Sequence, residues 1–190
     1  MRRLFLIFSA LTFFYPSYVT ADAGLPMLVL GVPFLVILLI PVCAIEVAVI
    51  VRRSQLSLTH LWKPVALANV ASTFIGYPLA WLLQLAIEFI TPRGGNALGL
   101  GTVWNRVFAV TIQSAWLIPY ETALGWMIPI AGMVGLVPAF FISVWLEGTI
   151  ERKMSIHSAV FSNVNVRAAN LASYLFLFAI LVILLIRALW

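Results

Sequence analysis

The sequence predicts an all-α membrane protein: an N-terminal signal peptide, then four transmembrane helices. These form two parallel-repeat helical hairpins with an interfacial helix between them. Three observations carry that prediction. First, 64% of the 190 residues are hydrophobic and 9% are charged, with a mean hydropathy of +1.11. Soluble domains average roughly 45–50% apolar and about 25% charged residues. Second, apolar runs long enough to cross about 30 Å of hydrocarbon recur along the chain. Third, one stretch occurs twice. Residues 24–80 and 125–181 align at a constant offset of 101 residues without a gap. The shared positions include Gly24/Gly125, Gly31/Gly132, Glu46/Glu147, Ser54/Ser155, Ser57/Ser158, Asn69/Asn170 and Ser72/Ser173. Self-similarity at a fixed spacing in a membrane chain points to two structural repeats.

Residues 1–21 read as a secretory signal, with an uncleaved first helix as the alternative. Arg2 and Arg3 precede the apolar run Leu4 to Phe14, and Val19-Thr20-Ala21 offers small residues before Asp22. Residues 22–96 form the first predicted hairpin. Its first span, about Leu25 to Val51, is stopped by Arg52 and Arg53. A polar linker, Ser54 to Lys63, leads to a second span from about Pro64 to Ile90, and Thr91-Pro92-Arg93-Gly94-Gly95-Asn96 ends it.

Residues 97–124 differ. The apolar run Val103 to Ile118 is interrupted by Asn105, Arg106, Thr111, Gln113 and Ser114, and carries Trp104 and Trp116. That mixture predicts an interfacial or re-entrant segment capping the outer face. Residues 125–190 form the second hairpin. Its first span, about Gly125 to Ile150, stops at Glu151-Arg152-Lys153. A linker follows from Met154 to Asn165. The last span runs from Arg167 to about Ile186 and leaves a short tail, Arg187 to Trp190.

Positive charge fixes the expected orientation. Arg52, Arg53, Lys63, Arg152, Lys153 and Arg167 fall at one side, as cytoplasmic-face anchors; Arg93, Arg106 and Arg187 fall at the other. The positive-inside rule then predicts a multi-pass protein of the plasma membrane with both mature termini outside. The net charge of +5 is accounted for by this retention of basic residues, so nucleic acid is not an expected partner. The lipid bilayer is, together with other membrane proteins or a second copy of the chain.

The candidate functional residues lie inside the spans. Glu46 precedes Arg52 by six residues and Asn69 follows Lys63 by six, which places both roughly 9 Å inside the boundary at 1.5 Å per residue. Ser72 shares a helical face with Asn69. The second copy repeats the set as Glu147, Asn170 and Ser173. Each hairpin is therefore expected to hold a glutamate facing an asparagine and a serine. Such a cluster either pins helices together or lines an ion or proton site; the structural role is preferred. Glu88 is expected as an outer-interface charge near Arg93 or Arg106, and Glu121 as a loop carboxylate.

Other chemistry has little support. The lone Cys43 forms no intramolecular disulfide, and His60 and His157 sit on linkers without metal-binding spacing. No Gly-x-Ser-Gly, HExxH or phosphate-loop pattern is present. Neither a catalytic site, a metal nor a cofactor is expected.

The segments Ala21 to Met27, Ala68 to Leu79 and Trp116 to Glu121 resemble an uncharacterised family of small multi-pass membrane proteins of cyanobacterial type. More remotely, Ile45-Glu46 with Asn69, Ser72 and Gly76 is similar to filament-integrity proteins of cyanobacterial septa. The first resemblance brings no established activity, and the septal proteins of the second are not enzymes. Small size, absent catalytic motifs and polar groups suited to helix packing favour a non-enzymatic role in assembly, scaffolding or cell-envelope organisation. The alternative expected from the residues is a small channel or transporter using Glu46 and Glu147, and an intramembrane enzyme comes third.

Overall fold

The computed structural model describes residues 24–190, apart from Arg93, Pro119 and Glu121. The leader expected over residues 1–21 lies outside the described residues. Among the described residues, four helices are long and apolar enough to cross a membrane. The first is α1, Met27–Ser54. The second is built from α2, Leu58–Ala71, a π-helical turn over Ser72–Gly76, and α3, Tyr77–Ile90. A short helix α4, Val103–Thr111, follows. The third and fourth spans are α5, Leu124–Met154, and α6, Asn163–Leu189. Two-residue strands β1, Leu25–Pro26, and β2, Trp116–Leu117, pair antiparallel.

Both hairpins have longer helices and shorter linkers than the sequence predicts. The helix of the second span begins at Leu58, not near Pro64, so only Gln55–Ser57 lie between α1 and α2. Extended backbone at Ser57 sets the entry to α2. Pro64 is tolerated because its missing N–H frees only the carbonyl four residues back, close to the polar helix end. Gln55 makes the tight exit from α1, with a left-handed φ of 58° and its N–H bonded to the Val51 carbonyl at 2.9 Å. The second linker is longer and contains a 3-10 turn, Ser158–Phe161. Helix α6 begins at Asn163, ahead of Arg167, with the Ser162 hydroxyl capping Asn165.

The π turn has a local cause. Pro78 has no N–H, and its ring would crowd the carbonyl one turn back in a regular α-helix. The chain widens instead, and the Tyr77 N–H bonds to the Ser72 carbonyl.

The spans form a ring in which α1 packs on α2, α2 on α5, α5 on α6 and α6 back on α1, while α3 also packs on α5. Two apolar clusters close the ends. One joins Met27, Ala109, Val110, Leu117, Ala123, Met127 and Ala131. The other joins Val47, Ile50, Leu61, Val65, Phe161, Val166 and Ala169. The outward faces carry large apolar side chains, among them Ile40, Phe89, Phe141, Trp145 and Leu175. A face of that kind along helices of this length suits lipid, where every backbone polar group is satisfied within the helix.

The segment after α4 does not simply lie flat. Gln113, Ser114 and Ala115 are buried. Gln113 Nε2 donates to the Gly94 and Asn96 carbonyls at 2.7 and 2.9 Å, and Trp81 Nε1 donates to the Ala115 carbonyl at 2.9 Å. Gln84 Nε2 donates to Ser114 Oγ at 3.0 Å, and the Met27 N–H reaches the Ala115 carbonyl. The cap is thus bolted onto the end of the bundle. Glu88 is consequently not an interface charge. It is 4% exposed beneath the cap, where it accepts the Trp116 N–H, and Arg106 donates to the Leu100 carbonyl.

Candidate functional site

Between the two apolar clusters lies a polar layer. Glu46 on α1 and Glu147 on α5 are each 1% exposed. Within the first hairpin, Asn69 Nδ2 donates to Glu46 Oε2 at 2.5 Å and to the Val65 carbonyl at 3.1 Å. Within the second, Asn170 Nδ2 donates to Glu147 Oε2 at 2.8 Å and to the Val166 carbonyl at 3.3 Å. The serines do something different. Ser173 Oγ on α6 crosses to Glu46 Oε1 of the other hairpin at 2.6 Å. Ser72 reaches Glu147 in the same crossed sense. Glu46 therefore takes an amide from its own hairpin and a hydroxyl from the other, and Glu147 takes the amide of its own hairpin with Ser72 of the other nearby.

The sequence predicts two separate clamps, one per hairpin. The four-helix ring brings all six residues into one layer that ties the hairpins together. The crossing was illegible because Ser72 and Ser173 lie on the same helical face as the asparagines, and that face meets two neighbours, not one.

The layer borders a cavity of about 30 Å³ lined by Glu46, Glu147, Asn69, Ser72, Thr73, Tyr77, Ser143 and Tyr174, with Leu35, Leu39, Val42 and Leu177 as its apolar wall. That space holds about one water molecule. Ser143 Oγ and Tyr174 Oη are 2.8 Å apart. Tyr77 Oη donates to the Met27 carbonyl at 3.2 Å. Among the described residues, no lysine or arginine lines the cavity. Chemically, two carboxyl groups surrounded by amide and hydroxyl donors can hold a proton or a small cation.

No protein-family model, curated protein or solved structure matches the chain. The site must be read from its own geometry.

One further carboxylate belongs to this region and was missed. Glu151, 1% exposed, lies one turn along α5 from Glu147, and its Oε2 has no hydrogen-bond partner. Its four-residue spacing from Glu147 places both on one helical face, a signal masked in the sequence by the adjoining Arg152 and Lys153. Asn170 Oδ1 is also buried without a partner.

The expected anchors Arg52, Arg53, Lys63, Arg152, Lys153 and Arg167 are all exposed. At this end the hairpins meet again. Arg53 Nε donates to Asn165 Oδ1 at 3.0 Å, and the rings of His60 and His157 stand edge to face with centroids 5.7 Å apart. Unequal positions in the two copies hid that pairing. Among the described residues, no three His, Cys, Asp or Glu side chains group so as to hold a metal ion. Cys43 is buried and free.

Proposed function

We propose that the chain is a non-enzymatic protein of the plasma membrane that acts in assembly or cell-envelope organisation, with both mature ends outside. The crossed hydrogen bond from Ser173 to Glu46 carries this reading. A polar layer shared by both hairpins fixes their relative placement, which suits a rigid element that other membrane components pack against. Interhelical bonds of this kind average only about 0.6 kcal/mol, so their main contribution is register, not strength. The basic end faces the cytoplasm in this reading, because Arg and Lys are retained there. The two hairpins are an internal duplication related by rotation about the membrane normal.

Two experiments test it. Vesicles reconstituted with the purified chain should pass protons and monovalent cations no faster than protein-free vesicles. Deleting the gene should displace the envelope proteins that crosslink to the chain in native membranes; an undisturbed envelope in the deletion strain would sink the role.

A second reading is favoured by Glu151. Together with Glu46 and Glu147 it extends a file of buried carboxyl groups from the central cavity toward the basic end, as a proton or cation path requires. Flux above background that disappears in the Glu46→Gln/Glu147→Gln double variant would establish this reading in place of the first.

A further inference from the structure

A groove of about 490 Å³ opens between α5 and α6, lined by Phe140, Phe141, Val144, Trp145, Arg152, Asn163 and Arg167. We propose that it binds the headgroup and one acyl chain of an anionic phospholipid. The inference rests on the chain lying in a membrane and is independent of the scaffolding role.

The groove is built with two chemically distinct ends. Phe141, Trp145, Gly148 and Arg152 follow one another at spacings of four, three and four residues, a single stripe along α5. From Arg152 to Phe141 is roughly 16 Å at 1.5 Å per residue. That is the reach from a phosphate at the boundary to the middle of an acyl chain. Phe141 and Trp145 are 66% and 64% exposed, so an apolar wall of large area faces outward. Phe140 holds the wall rigid, stacking edge to face on Phe141 at 5.4 Å and on Tyr174 at 5.3 Å.

The other end is cationic. Arg152 folds back over Gly148, where a Cβ would meet its Nη1 at 3.0 Å. Its Nη1 donates to the Phe161 carbonyl at 3.3 Å and to Asn163 Oδ1 at 3.1 Å, which fixes the guanidinium at the groove. Arg167 stands one turn beyond Asn163 on α6 and is exposed. The first N–H groups of the 27-residue helix α6 open at the same place, and the helix dipole adds partial positive charge there. Among the described residues none that lines the groove carries a carboxylate, and the buried Glu151 beside Arg152 leaves Arg167 as the unshared cation of the lining. Basic pockets between membrane helices at the level of the headgroups select anionic lipids in this way. The positions 101 residues earlier in the first hairpin are Leu39, Ile40, Cys43, Ala44, Val51, Trp62 and Ala66, with no cation among them.

The test uses the full chain purified in a nonionic detergent and native mass spectrometry with equimolar phosphatidylglycerol and phosphatidylcholine. One phosphatidylglycerol should be retained in preference. Arg167→Gln should lower that preference about fivefold, from loss of one basic group near the headgroup. Because Arg152 also holds the second linker, Arg152→Gln is read only alongside an unchanged melting temperature. Phosphatidylglycerol with brominated chains should quench the fluorescence contributed by Trp145, taken as the difference from Trp145→Phe. Equal retention of both lipids, or full preference in Arg167→Gln, would overturn the proposal. Displacement of the lipid by millimolar inorganic phosphate would also overturn it, in favour of a free-anion site.

Discussion

Helix α6 passes through Asn170 and Ser173 as regular α-helix, whereas the same stretch of the first hairpin opens into a π turn over Ser72–Gly76. The sequences differ there too: Gly76 and Pro78 stand where the second hairpin has Leu177 and Ala179. A widened turn carries Ser72 and Thr73 together into the core, each 7% exposed. Of the corresponding pair in α6, Ser173 is buried and Tyr174 is half-buried, with its hydroxyl brought to Ser143. Two stretches that share an asparagine and a serine thus reach the same layer by different backbones. The lesson is that the positions of the polar groups are held, while the path to them is free to vary.

The linkers differ even more, and there the largest effect is expected. Phe161 is 0% exposed and fills the apolar cluster at the basic end, while the residue at its equivalent position, His60, is exposed. Phe161→Ala should destabilise the protein by about 3–5 kcal/mol, the range for emptying a packed aromatic site. His60→Ala should change stability by less than about 0.5 kcal/mol, as surface substitutions do. Thermal unfolding of the two variants in detergent gives the ratio directly. Similar losses would mean that the second linker is no better anchored than the first.

The shared glycines give the next contrast. At Gly31 a Cβ would collide with the Tyr77 hydroxyl, whereas at Gly132 it would meet only Leu181 side-chain carbons, at 3.3 Å. Gly31→Ala must displace Tyr77 and break its bond to the Met27 carbonyl, at a cost of about 1–3 kcal/mol. Gly132→Ala asks only for a small shift of a flexible leucine and should cost less than about 1 kcal/mol. If Gly31→Ala cost as much in a Tyr77→Phe background as in the native chain, the close approach of the ring itself, not the lost hydroxyl bond, would set the penalty.

These examples also show what could be read from the chain in advance. The four spans were legible because apolar length and flanking Arg and Lys are local properties. The pairing of Glu46 with Asn69 followed from depth arithmetic within one hairpin, and that of Glu147 with Asn170 from the repeat, since Asn170 stands only three residues after Arg167. What escaped depended on how the hairpins meet. The bond from Ser173 to Glu46, the approach of His60 to His157 and the burial of Glu88 all join residues whose separation in sequence carries no periodic signal. Glu151 was hidden differently, since a carboxylate beside Arg152 and Lys153 reads as part of a stop signal.

The serines test the crossed layer itself. Ser173 donates to Glu46 at 2.6 Å, while Ser72 donates to the Asn69 carbonyl at 3.1 Å. Ser173→Ala should therefore cost about 1–2 kcal/mol and Ser72→Ala about 0.5 kcal/mol, because bonds to acidic groups are the stronger class. A Glu46→Leu/Ser173→Ala cycle isolates the interaction, and a coupling near zero would remove the crossed bond from the account of how the hairpins are joined.

The smallest effect tests the turns, and it reverses sign between hairpins. Gln55 leaves α1 with φ at 58°, a conformation that costs an L-residue roughly 1 kcal/mol and a glycine almost nothing. Its counterpart in the alignment is Ile156, but the residue that leaves α5 is Ser155, in extended backbone with φ at −95°. Gln55→Gly relieves the left-handed strain but enlarges the freedom of the unfolded chain, so the net gain should be a few tenths of a kcal/mol. Ser155→Gly incurs the entropy loss with no strain to relieve, and should destabilise by about 0.5–1 kcal/mol. Opposite shifts in melting temperature for the two glycine variants would show that the short linker is held in a strained turn. Shifts of the same sign would mean that the α1–α2 turn relaxes to a conformation like that of the longer linker.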